Sequence, residues 1–144
     1  MDIECINFFE EDIKPPLFNT EKVKTWLTNI TKKNSKKIKE INYIFCSDEY
    51  LLKVNIEYLD HDYYTDIITF DNSEIDDVIE GDIFISLDRI KDNSNSLNES
   101  FDNELLRVLA HGLLHLIGFN DKTNEDQEEM TKQENLALEL YLSI

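Results

Sequence analysis

Two histidines in the last third of the chain have the spacing of metal ligands. His111 and His115 lie four residues apart in an apolar stretch, so on a helix they share one face with Cβ atoms about 5–6 Å apart. Gly118 follows three residues later and can adopt the left-handed conformation that ends a helix. The chain can then turn back and bring an oxygen of Asp121 to the same ion. We therefore expect these side chains to bind one metal ion.

The types of these ligands indicate a catalytic metal site. Two nitrogens and one carboxylate leave a coordination position open for water on zinc. The spacing from His111 to Asp121 is that of the metzincin peptidases, but those enzymes have Glu as general base where this chain has Gly112. The residues alone leave three alternatives open. These are a small zinc peptidase, an iron oxygenase with two histidines and one carboxylate, and a protein whose metal is structural.

The helix that carries the histidines is predicted to be buried on almost every side. Apolar residues cover nearly every direction of a helix over about residues 98–118, which is typical of a central helix. Gly112 leaves space either for a substrate or for close helix packing. A last helix is capped by Thr123. Its inner side is predicted to carry Met130, Leu136, Ala137, Leu140 and Tyr141.

The rest of the chain predicts a small sheet covered by helices. Alternating or β-branched runs indicate strands at residues 3–9, 38–46, 65–70 and 81–86. Further helices are expected after a cap at Asn19 or Thr20 and over about residues 47–59. Residues 71–80 are predicted to be an acidic loop, residues 87–93 a helical turn and residues 93–96 a polar loop. The pattern predicts one α/β (α+β) domain over residues 1–144, with helices packed on a mixed sheet of about four strands.

The composition is strongly acidic. Asp and Glu number 31 against 14 Lys and Arg, for a net charge of −17. Such a charge repels phosphates overall, whereas an acidic surface suits a basic ribosomal protein. A cluster of lysines can either contact RNA phosphates or complement the end of a helix. The cluster consists of Lys32, Lys33, Lys36, Lys37 and Lys39.

Neither a membrane span nor a secretory signal is expected. No apolar run reaches the roughly 18–20 residues that a bilayer requires, and the first residues are acidic rather than basic. Cys5 and Cys46 do not form a C-x-x-C motif and are expected to be reduced, buried thiols. We therefore expect a cytoplasmic protein.

Three blocks of the sequence resemble the YbeY family of bacterial endoribonucleases, the ribosomal-RNA maturation factors. The segment from His111 to Asp121 is similar to the family signature H-G-x-L-H-L-x-G-[YF]-D-H. Residues 65–70 are similar to the T-[DN]-V-L-S-F-P block, and residues 81–83 to a G-D-I strand. The acidic segment ending at Met130 also fits. The resemblance covers most of the chain from about Leu52 onward.

The resemblance implies a zinc-dependent, single-strand-specific endoribonuclease that acts in 16S rRNA 3′-end maturation and in ribosome quality control. It implies one zinc ion per chain, held by His111, His115 and Asp121, with the two histidines acting through metal-bound water. The implied partners are single-stranded rRNA and ribosomal proteins or the small ribosomal subunit. A ribosome-assembly factor with a structural metal and no catalysis is the main alternative.

The chain departs from the family pattern at two functional positions. Asp121 stands where the family usually has a third histidine, and Leu59 stands where it usually has an arginine, which is a natural phosphate clamp. Asp66 and Asp82 lie on the strands that resemble the family blocks. They are expected either to accept hydrogen bonds from the histidine ligands or to be strand-end turn residues.

Overall fold

In the computed structural model, which describes residues 5–144, the chain forms a mixed four-stranded sheet with helices on both faces. Strands β1, β2 and β4 are parallel, β3 is antiparallel to β4, and the order across the sheet is β1-β2-β4-β3. The predicted α+β class is confirmed. The elements in chain order are β1 (Ile6–Glu10), α1 (Thr20–Lys33), β2 (Lys37–Cys46), α2 (Asp48–Leu59), β3 (Ile67–Asp71), β4 (Val78–Ser86), α3 (Leu87–Ser96), α4 (Phe101–Ile117) and α5 (Asn124–Leu142).

The sheet separates a large core from a small one. Successive side chains of a strand point to opposite faces; accordingly Ile83 and Ile85 join the large core with α1, α4 and α5, whereas Phe84 packs against the small core beneath α2. Helix α4 contacts both β3 and β4 on the large-core face. Because β3 is the edge strand, α4 lies near that edge of the sheet.

Capping residues mark where the two site-bearing helices begin; the cap at Thr123 is the predicted one, whereas Ser100 is a further cap. The Ser100 side chain accepts a hydrogen bond from the backbone N–H of Asn103 at the start of α4. Thr123 and Asp126 form a reciprocal capping box at the start of α5. No helix within residues 5–144 has the length and apolar character needed to cross a membrane.

Several local predictions are wrong. Helix α3 continues through residues 93–96, which were expected to form a loop, because Ser94 is buried and donates its hydroxyl to the carbonyl of Lys91. Strand β4 begins at Val78 rather than at Gly81. Leu136 is 49% exposed, and Glu134 lies on the inner side of α5 instead. Residues 3 and 4 of the first predicted strand lie outside the described part of the chain.

Candidate functional site

Helix α4 is buried except along one strip, and that strip carries the two predicted metal ligands. Leu109, Leu113 and Leu114 are buried, whereas His111 and His115 are only partly covered. Because the histidines are one helical turn apart, their rings lie side by side with centroids 4.6 Å apart. The helix then ends at Gly118, whose φ of +128° is a conformation that favours glycine. The turn that follows brings Asp121 to the histidines, as predicted.

The three predicted ligands converge on one point. The Nε2 atoms of His111 and His115 lie 3.4 Å and 3.3 Å from the same carboxylate oxygen of Asp121. One ligand atom from each residue lies within 4.8 Å of the other two. Two atoms bound tetrahedrally at about 2.0–2.1 Å from a zinc ion are about 3.3–3.4 Å apart. The donor types and their separations therefore fit a small divalent cation.

Glu134 orients the first of these ligands, and sequence reasoning missed it. Its carboxylate lies 2.6 Å from Nδ1 of His111, and Glu134 is only 8% exposed. A carboxylate at neutral pH can only accept, so Nδ1 carries the proton and the lone pair of Nε2 is free for a metal. This is the arrangement expected of a metal-ligating histidine. The signal in the sequence is that Glu134 follows Met130 by one helical turn, which places an acidic residue on the inner side of α5.

Arg107 is a second residue of the cleft that the sequence analysis did not identify. It lies one turn before His111 on α4 and donates to Glu134 at 3.0 Å and to Asn135 at 2.9 Å. It is the one Lys or Arg among the described residues that line the cleft. The cleft therefore contains a guanidinium. Leu59, which the resemblance aligns with the usual arginine of the family, lines the same cleft.

Gly112 fills a packing role and is not a gap for substrate. A Cβ atom at this position would lie 2.9 Å from Cγ2 of Ile83 and 3.0 Å from Cδ1 of Ile67. The residue after the first histidine thus faces the sheet, and a glutamate there would not fit beside the metal ligands. The general base of the zinc peptidases has no counterpart at this position.

The predicted outer acceptors lie in two different places. Asp66 lines the same cleft as the histidines and accepts a hydrogen bond from Nδ2 of Asn93 at 3.4 Å. Asp82 accepts instead from the amides of Asn42 and Asn72, at 3.1 Å and 3.3 Å. Since Asp82 alternates with Gly81 and Ile83, which face α4, its side chain lies on the opposite face of the sheet. The expectation that Asp82 orients a histidine is wrong, and Glu134 takes that position.

The lysine cluster does not line the cleft. Lys32 and Lys33 belong to the last turn of α1, where they complement its carboxyl end. Lys36 forms an ion pair with Asp77 at 2.9 Å, and Lys37 begins β2. Contact between these lysines and RNA remains a prediction.

Carboxylates crowd the cleft and perturb one another. Burial raises the pKa of Asp66, and the charge of His111 opposes this only in part. Burial also raises the pKa of Glu104, and the charge of Asp66 adds to the shift. For His111 burial lowers the pKa, but the hydrogen bond and charge of Glu134 outweigh it and the net pKa is raised. A cation bound at the three ligands would offset this concentration of negative charge.

The ligands form one wall of an open cleft of about 670 Å³. Its other wall is made by β3 and by the segment that joins α2 to β3. Two ring-bearing residues of that segment, His61 and Tyr63, line the cleft, and a third histidine is thereby brought into the site. This volume lies within the range of about 300–1,000 Å³ that is usual for ligand sites.

Comparison with known proteins identifies the family. Residues 7–141 match the family model described as Endoribonuclease YbeY. An endoribonuclease YbeY from Cytophaga hutchinsonii is 56% identical over 140 residues, covering 97% of this chain and 98% of the relative. One from Porphyromonas gingivalis is 46% identical over 133 residues, or 92% of this chain and 87% of the relative. The solution structure of TM1509 from Thermotoga maritima superposes with a TM-score of 0.68 at 25% identity, covering 96% and 89% of the two chains. The chain therefore belongs to the YbeY family of endoribonucleases.

Proposed function

We propose that this endoribonuclease is zinc-dependent and specific for single strands, and that it acts in the cytoplasm in 16S rRNA 3′-end maturation and ribosome quality control. Its substrate is single-stranded rRNA, and its other partners are ribosomal proteins or the small ribosomal subunit. The observation that carries the metal-dependent chemistry is the convergence of His111, His115 and Asp121. The rRNA-processing role is supported by membership of the family and by the resemblance of the site residues to its signature.

The chain's own residues have separable roles in this mechanism. Zinc, when bound, supplies electrophilic stabilisation of the phosphoryl group and a more acidic water. Glu134 holds the proton of His111 on Nδ1 and so keeps Nε2 available as a ligand. Arg107 keeps its guanidinium at the cleft wall through Glu134 and Asn135, from which it can contact an RNA phosphate. With Asp121 in place of a third histidine, the protein ligands carry one more negative charge, which favours retention of the cation.

The experiment that tests the proposal measures metal content and RNA cleavage on the same preparations. Wild-type protein should contain one zinc per chain and cleave a single-stranded RNA better than a duplex of the same sequence. His115→Ala and Asp121→Ala should lose zinc and cleavage together. His61→Ala is the matched control for metal content, because His61 lies in the cleft but outside the ligand group. Full cleavage by zinc-free protein would overturn the proposal, and cleavage supported only by iron would assign the site to that metal instead.

A second candidate function is a ribosome-assembly factor with a structural metal and no catalysis. The net charge of −17 favours it, because an acidic surface binds basic ribosomal proteins more readily than it binds RNA. Capture of a ribosomal protein by the His115→Ala variant, together with unimpaired growth of cells carrying that variant, would support this candidate. Loss of growth with retained capture would support the enzyme.

A further inference from the structure

Exposed aromatic side chains are concentrated around the end of α2. Within residues 5–144, the strongly exposed aromatic residues are Phe9 at 49%, Tyr58 at 67%, Tyr63 at 55% and Tyr64 at 48%. Three of these four lie between positions 58 and 64, in the last turn of α2 and the segment that leads to β3. Aromatic rings are normally buried for their apolar area. Of these three, Tyr63 lines the cleft, whereas Tyr58 packs against Phe70. An exposed ring that lines a site is available to contact a ligand.

His61 and Tyr63 form a stacked pair that faces the cleft. Their rings are nearly parallel, with an interplanar angle of 19° and centroids 5.2 Å apart. The Tyr63 hydroxyl and Nδ1 of His61 are also hydrogen bonded, 3.0 Å apart. Both residues line the cleft that holds the three metal ligands, whereas Tyr64 does not line it and donates its hydroxyl to Glu49. The pair thus offers an aromatic surface within the site.

A buried asparagine fixes the backbone that carries this pair. Asn55 is only 2% exposed; its side-chain amide donates to the carbonyl of Tyr63 at 3.0 Å. The backbone carbonyl of Asn55 accepts a hydrogen bond from the backbone N–H of His61 at 3.1 Å. Asp60 adopts a left-handed conformation with φ of +57° and turns the chain at the end of α2, directly before the two anchored points. The pair is held in place before any ligand arrives, which reduces the entropy that binding would cost.

The side chains that line this cleft offer little positive charge to a phosphate. Among the described residues that line the cleft, Arg107 is the one Lys or Arg, and it is already paired with Glu134. The carboxylates in the lining outnumber it. They are Asp66, Asp71, Glu104, Asp121 and Glu134. Beyond Arg107 and the metal ion, a polyanion bound here gains from a source of affinity that does not depend on charge, and base stacking on aromatic rings is such a source.

We propose that the His61–Tyr63 pair stacks a nucleobase of the single-stranded RNA substrate next to the metal ligands. The proposal rests on the proposed function and adds the element that selects single strands. The faces of a base are exposed in a single strand but covered by neighbouring base pairs in a duplex. Stacking also tolerates any base, because every base has a π-face. The pair determines strand specificity and does not touch the reacting atoms.

Binding of a single-stranded RNA, measured by stopped-flow mixing on a time scale shorter than cleavage, tests this assignment. Fluorescence anisotropy should show that Tyr63→Ala and Tyr63→Leu bind about 5- to 100-fold more weakly than wild type, the range expected for one lost base stack. Tyr63→Phe should bind within about twofold of wild type, since the aromatic face remains. Tyr64→Ala is the matched control, a tyrosine of the same segment and similar exposure that lies outside the cleft. Thermal unfolding of each variant verifies that it is folded.

An abasic scan identifies the base that stacks. RNAs with one abasic position, moved along the strand, should each be compared with the intact strand. Wild type should lose affinity sharply at one register, and Tyr63→Ala should show no further loss at that register, because the lost contact is the same one. The proposal is overturned if Tyr63→Ala binds as Tyr64→Ala does, or if the abasic penalty is equal in wild type and Tyr63→Ala.

Failure of this inference is distinguishable from failure of the proposed function. Zinc content and RNA cleavage of wild type and His115→Ala report on the metal-dependent enzyme. If wild type cleaves with zinc and Tyr63→Ala retains both its RNA affinity and its preference for single strands, only the stacking site is refuted. In the expected outcome Tyr63→Ala keeps its zinc, its KM for single-stranded RNA rises, and its preference over a duplex falls.

Discussion

Replacing Glu134 with glutamine tests whether the residue that orients His111 controls metal binding. The substitution keeps the shape of the side chain and removes its charge. The 2.6 Å contact with Nδ1 is short and almost fully buried, so it has the strength of a charge-assisted hydrogen bond, about 1.5–3 kcal/mol. Removal of an outer acceptor typically lowers metal affinity about 10- to 100-fold, which corresponds to roughly 1.4–2.7 kcal/mol. We therefore expect Glu134→Gln to bind zinc about 10- to 100-fold more weakly.

The measurement is a zinc titration in competition with a chromophoric chelator at neutral pH. Glu129→Gln is the matched control, because Glu129 lies on the same helix, is exposed and accepts a hydrogen bond from the side chain of Gln133 at 2.8 Å. Its zinc affinity should equal that of wild type. An unchanged affinity for Glu134→Gln would show that the hydrogen bond does not orient the ligand, and the role given to Glu134 would be refuted.

Three further predictions concern Asp66 in the cleft, Gly112 on α4 and Cys46 at the end of β2. Burial raises the pKa of Asp66, so its ionised form destabilises the fold at neutral pH. In metal-free protein, Asp66→Asn should therefore raise the free energy of unfolding, measured in urea. This gain in stability should become smaller as the pH falls toward the ordinary Asp pKa of about 3.9. A gain that grows on acidification would contradict this sign. Gly112→Ala should lower the free energy of unfolding by about 1–3 kcal/mol through overpacking against Ile83, and an unchanged urea midpoint would argue against the packing role. Burial raises the pKa of Cys46 to about 12, so this thiol should react with a disulfide reagent at mildly alkaline pH only after denaturation; rapid reaction of the native protein would disprove that protection.

The ligands were predictable because local geometry determines their positions. His111 and His115 share a helix face through their spacing alone, and a glycine bend limits where Asp121 can lie. Glu134 was not predictable in the same way. It reaches His111 from another helix, and the apolar pattern of α5 equally allowed Leu136 on the inner side. Only the packing of α5 on α4 decides between the two.

The errors on the strands and loops have a similar origin. Asp82 was grouped with the site by its neighbourhood in sequence, but strand alternation turns it to the face opposite Gly81 and Ile83. The stacked pair was missed because residues 60–66 have no periodic pattern, and their conformation depends on the buried amide of Asn55. The clustering of lysines in the sequence does not indicate how far they lie from the cleft. The lysines of the α1–β2 turn accordingly lie elsewhere.

X-ray absorption at the zinc edge is the most direct test of the central claim, that one ion is held between His111, His115 and Asp121. Wild-type protein should show two imidazole ligands and oxygen neighbours, with metal–ligand distances of about 2.0–2.1 Å. The spectrum of any zinc that remains on His115→Ala should retain only one imidazole. A wild-type spectrum without imidazole scattering, or one that His115→Ala leaves unchanged, would contradict the account.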